Sequence, residues 1–133
     1  MKKILLYTAI LLTACNRKEQ NYSKAENALD AGREFITSCL QGDFTKAAFF
    51  MLPNEKNNQE LIKIEKAYRE KDKEGRQQFR SASINIVEVT DINDSTTLIK
   101  YSNSFDKLPH TLQVVKQQDS WLVNITNIDN PAR

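Results

Sequence analysis

The residues able to do chemistry are few in this sequence. His110, next to Pro109, is its one histidine, so the histidine clusters that hold zinc or iron cannot be built within one chain. Gly32, Gly42 and Gly75 stand singly, which leaves no glycine-rich phosphate cradle, and there is no Gly-x-Ser-x-Gly elbow. One acid-base scheme can be written, in which Glu88 or Asp106 takes a proton while the Tyr101 hydroxyl stabilises an oxyanion. Strand carboxylates and loop aspartates are ordinarily solvated, and nothing in the spacing brings these three together. Cys39 as a nucleophile would need a basic neighbour and some exposure. It falls instead on an apolar stripe, where a free cysteine is a core residue. The expectation is no catalytic residue, no metal and no cofactor.

Cys15 is different, because of what precedes it. Met1-Lys2-Lys3 is followed by the mostly apolar run Ile4 to Leu12 and then by the small residues Thr13 and Ala14, the layout of a secretory signal peptide. A membrane span would need about 20 apolar residues, and the chain turns polar at Asn16. Leu12-Thr13-Ala14-Cys15 resembles the lipobox of bacterial lipoproteins, in which the cysteine thiol is acylated and the peptide is cut ahead of it. The resemblance implies a signal peptide over 1–14, a lipidated tether over 15–22 and attachment to a membrane through acyl chains on Cys15. Each buried methylene adds about 0.8 kcal/mol, so several chains hold durably. Asn16, where some Gram-negative lineages carry an inner-membrane Asp, favours the outer membrane of the cell envelope.

Composition limits what the anchored part can do. Removing residues 1–14 from the 133 leaves 119, a length for one domain burying roughly two-thirds of its unfolded surface. Of 19 basic residues two, Lys2 and Lys3, go with the signal, leaving 17 against 17 acidic ones. The formal +2 is therefore lost, and with it any argument for nucleic-acid binding, which rests on a clustered basic excess. Once Cys15 is acylated, Cys39 has no partner for an intramolecular disulfide.

The elements expected to position these residues follow from periodicity. Ser23-Lys24-Ala25-Glu26 has capping-box spacing. Ala25, Ala28, Leu29, Gly32, Phe35, Ile36, Cys39 and Leu40 then form one helical stripe ending at Gly42. Asp43 can cap a short helix through Leu52, stopped by Pro53. A third helix is predicted from about Asn58 to Phe79, with opposite charges three or four apart, such as Glu65 and Arg69, marking a solvated face. From Ala82 the period changes to two. Strands are predicted over Ile84–Thr90, Thr96–Ser102, Thr111–Gln117 and Trp121–Ile125, with His110 in a loop and 127–133 as a tail. The single domain spans 23–126.

This α+β order, together with Ala28, Phe35, Leu40-Gln41-Gly42-Asp43-Phe44 and Trp121-Leu122-Val123, resembles small envelope lipoproteins with a nuclear transport factor two-like, or cystatin-like, domain of unknown function. The resemblance implies N-terminal helices packed on a curved antiparallel sheet, a cone with its pocket between the concave sheet face and the helices. Tyr68, Tyr101 and Trp121 are the expected lining. Function is then expected to be that of a non-catalytic binding or interaction module, taking a protein partner or a small apolar ligand. The alternatives are a small isomerase-like acid-base enzyme and an anchored inhibitor or immunity-type protein.

Overall fold

The computed structural model describes residues 21–125. The expected signal segment 1–14, Cys15, most of the tether and the tail lie outside the described residues. Within them the chain is α+β. Four helices, α1 (Ala28–Gln41), α2 (Phe44–Phe49), α3 (Glu55–Glu70) and α4 (Lys73–Arg80), precede four strands, β1 (Ile84–Asn93), β2 (Thr96–Asn103), β3 (His110–Gln117) and β4 (Ser120–Asn124). The strands form one antiparallel sheet in the order β1-β2-β3-β4.

Every helix starts at an Asn or Asp whose side chain accepts from the backbone N–H three residues on: Asn27, Asp43, Asn54 and Asp72. This satisfies one of the free donors of a first turn, and it corrects two expectations. The first helix begins at Asn27, not Ser23, because Asp30 answers the cap by accepting from Glu26 N at 2.9 Å. The expected helix over 58–79 is two helices. Lys71 is extended (φ −66°, ψ 144°), and Asp72 caps a new helix by accepting from Gly75 N at 2.7 Å.

At the other end of α1, Gly42 has φ +75°. Its N–H donates to Cys39 O, and Asp43 N donates to Ser38 O at 2.9 Å, the paired bonds of a Schellman turn. A side chain there would be strained by the left-handed backbone. A Cβ would also lie 2.6 Å from the Tyr68 ring.

α1 carries the core. Ala31, Phe35, Ile36, Cys39 and Leu40 are buried against Ile99 of β2, Leu112 and Val114 of β3 and Val123 of β4. Full burial of each large side chain contributes about 1.5–3 kcal/mol. The register places Ile99 opposite Leu112 and Val114 opposite Val123, so these side chains share one sheet face. In β1 the pairing shifts at Val87 and again at Ile92. Those two residues are 65% and 55% exposed, and such irregularities blunt an edge strand against pairing with another chain.

The β4 edge is covered instead. Phe50, Met51 and Leu52 run alongside it, with Val123 N donating to Phe50 O and Leu52 N donating to Val123 O, both at 2.8 Å. Asn57, with no exposed surface, locks this segment. Its Nδ2 donates to Leu52 O at 3.0 Å and its Oδ1 accepts from Ile125 N at 3.1 Å. Replacing Asn57 by Leu keeps the branched outline, though with a bulkier side chain, and leaves Leu52 O and Ile125 N without this partner, which should cost at least about 1–3 kcal/mol in denaturant unfolding. An unchanged midpoint would contradict this role.

Candidate functional site

Two places in the domain gather most of the residues singled out from the sequence. Register fixes their separation: Tyr101 pairs with His110 at one end of β3, and Trp121 pairs with Lys116 near the other. Six residues of strand at about 3.4 Å each put these pairs roughly 20 Å apart.

The first place is built by the β2–β3 connection. Asn103 Oδ1 accepts from Phe105 N at 2.9 Å and Asp106 N at 3.0 Å, and Asp106 Oδ1 accepts from Leu108 N at 2.9 Å. These turns aim Asp106 Oδ2 at His110 Nε2, 2.8 Å away. His110 is not in a loop, as expected from Pro109, but opens β3 and is buried. The Tyr101 ring stacks on it, centroids 5.1 Å apart. Aromatic edges close this end, with Phe44 on Tyr68 (5.6 Å), Tyr68 on Phe79 (5.9 Å) and Phe79 on Phe105 (5.1 Å).

Electrostatics favour an ionised carboxylate and a protonated phenol at this end. Burial alone would raise the Asp106 carboxyl, but bonds from Leu108 N–H, His110 and Asn103 and the His110 charge outweigh it and hold the group below the usual carboxylate range. Burial pushes the Tyr101 phenol up, reinforced by Cys39 and Asp106 nearby, so Tyr101 stays protonated. Burial likewise pushes the Cys39 thiol up to about 12, far from the thiolate that a nucleophile needs. Glu88 is elsewhere: it is exposed on β1, and Lys100 at 2.7 Å lowers its pKa through hydrogen bond and charge. The structure thus joins Asp106 and Tyr101 through His110 and leaves Glu88 out. His110 was missed because proline beside it suggested a loop. The signal was parity, since 110 shares its sheet face with Leu112 and Val114.

The second place is a groove of about 360 Å³ where the N-terminal segment, the end of α2 and the β3–β4 turn meet. Ala25, Phe49, Phe50, Pro53 and Trp121 give it an apolar wall. Tyr22 packs on Phe49 with centroids 5.4 Å apart, and Phe49 on Phe50 at 5.0 Å. The Lys116 ammonium sits 5.6 Å from the Trp121 ring centre, a cation–π distance. Among the described residues the groove's lining also includes Lys24, Gln117, Gln118 and Ser120, with no carboxylate, cysteine or histidine. Of the three expected lining residues Trp121 is here, whereas Tyr68 and Tyr101 belong to the closed end. Among the described residues no cluster of His, Cys, Asp or Glu is placed to hold a metal ion, and no helix is long and apolar enough to cross a membrane.

No protein-family model matches the chain, and no curated protein is significantly similar to it.

Two outcomes check the reading of the closed end. Because the Asp106 pKa is depressed by folding, its contribution is present above the unfolded value near 3.9 and is lost as pH falls through the folded value. Denaturant midpoints of the wild type should therefore fall more steeply between about pH 5 and about pH 2 than those of Asp106→Asn; parallel profiles would contradict the assignment. Cys39 should resist thiol reagents at neutral pH in the folded protein and react only at the rate of unfolding. Rapid labelling without loss of structure would overturn its core role.

Proposed function

We propose that this chain is an envelope lipoprotein, held to a bacterial membrane by acyl chains on Cys15, which acts by binding rather than by catalysis. The observation that carries the binding part is the separation of the two places. Asp106 and His110 pair with each other beneath the Tyr101 ring at one end of the sheet. The groove at the opposite end offers apolar surface and amide, hydroxyl and ammonium groups, none of them suited to general acid-base work at neutral pH.

The anchor rests on Leu12-Thr13-Ala14-Cys15 and the apolar run before it, which fit a lipoprotein signal and its removal ahead of the cysteine. The helix-then-sheet order fits the cone-shaped architecture of the nuclear transport factor two-like superfamily. That superfamily hosts enzymes and binding modules alike, so the fold does not select between them. Asn16 after the cysteine favours the outer membrane.

Intact mass of the protein isolated from bacteria expressing the full chain tests the anchor. The expected species starts at Cys15, carries acyl mass on that residue and sediments with membranes, and Cys15→Ser leaves an unacylated chain. A full-length or unacylated wild-type protein in the soluble fraction would contradict the proposal.

A further inference from the structure

We propose that the Trp121 groove is a docking surface for the headgroup–acyl boundary of the membrane that carries the anchor, so that the domain lies against the bilayer on this side. The inference rests on the anchoring reading above and names the partner of that reading's groove.

Three observations point to a lipid surface. The first is where the chain enters the domain. Tyr22 packs on Phe49, and Lys24 and Ala25 line the groove. From Cys15 to Tyr22 there are seven residues, which span about 25 Å at most when fully extended. The tether thus joins the domain beside the groove.

The second is its chemistry. Phe49 is 41% exposed although it stands among apolar neighbours, and Trp121 presents an aromatic plane beside it. Aromatic rings with one wet edge settle at the level of lipid headgroups. Lys24 and Lys116 flank them, and lysine stems can lie along apolar surface while their ammonium groups reach anionic headgroups. Gln117, Gln118 and Ser120 supply hydrogen-bonding groups at the rim.

The third is that weak docking suffices. An anchor on so short a tether confines the domain at an effective concentration on the order of millimolar at the membrane. A contact too weak to recruit a free domain then stays mostly closed. Ile62, Val87, Val89, Ile92, Phe105 and Leu108 are also exposed, but none of them lines the groove where the chain enters the domain, and the one aromatic ring among them, Phe105, stands at the His110 end.

Trp121 is the chain's one tryptophan, so its fluorescence reads the contact without labelling. The mature lipoprotein, with acylation verified by mass, is reconstituted into vesicles of phosphatidylethanolamine and phosphatidylglycerol whose acyl chains are brominated near the headgroup. The proposal predicts loss of Trp121 emission relative to unbrominated vesicles. That loss should be largely reversed in Phe49→Asp and in Lys24→Glu, each checked for unchanged thermal stability so that misfolding of one does not decide the result. Full emission from an acylated wild-type protein overturns the docking while leaving the anchor in place. Concentration-dependent shielding of Trp121 without quenching by bromine overturns it in favour of a second copy of the chain. Absence of acyl mass on Cys15 defeats the anchoring reading itself, and the docking falls with it.

Discussion

The contact between α1 and the middle of the sheet depends on the absence of a side chain at Gly32. A Cβ at that position would lie 2.6 Å from Ile99 Cδ1 and 3.5 Å from Leu112 Cδ2. The helix can therefore come down onto β2 and β3 until Ala31, with no exposed surface, and Phe35 close the interior. A glycine inside a helix is unfavourable by roughly 0.5–1 kcal/mol relative to alanine. Burial of Ile99, Leu112 and Val114 beneath it more than offsets that cost. With α1 so close, the centre of the domain is filled by side chains.

The two ends of the domain are finished by different chemistry. At the His110 end, polar groups are paired in sequence: Asn103 shapes the turn, Asp106 meets His110, and Tyr101 stacks on the imidazole, with the rings of Tyr68, Phe79 and Phe105 packed in series. At the Trp121 end the backbone rather than a side-chain network makes the closure. Phe50 and Leu52 exchange hydrogen bonds with Val123, and Asn57 ties them to Ile125. This holds the β4 edge and leaves Phe49 projecting beside Trp121. Paired polar groups at one end and an aromatic-lined groove at the other fit the binding role proposed above.

Much of this was legible in local pattern. The stripe from Ala28 to Leu40, the Gly42 stop, the Asp43 cap and all four strands follow from periods of 3.6 and two and from residues with a specific turn use. The break at Lys71-Asp72 was less visible, since a continuous run of helix-forming charges favours one helix as readily as two, and only the Asp cap separates them. The shifts at Val87 and Ile92 were hidden because a period of two has no room for an extra residue. The groove was out of reach for a different reason. Ala25, Phe49 and Trp121 come from three distant segments, brought together by the Phe50–Val123 hydrogen bonds, which no short-range spacing encodes. The same limit applied to Tyr68, Tyr101 and Trp121, which were expected to line one pocket but stand at opposite ends.

The proposed contact face is the Trp121 groove, and the His110 end is proposed to be structural. Amide hydrogen exchange of the acylated protein, compared between membrane-bound and detergent-solubilised forms, tests this division most directly. Added protection on the membrane is expected at Phe49–Leu52 and across the Gln117–Trp121 turn, with the Asn103–His110 connection and the β1–β2 hairpin unchanged. Protection gained instead at Val87–Ile92 or around Asp106, with none at Phe49 and Trp121, would contradict it.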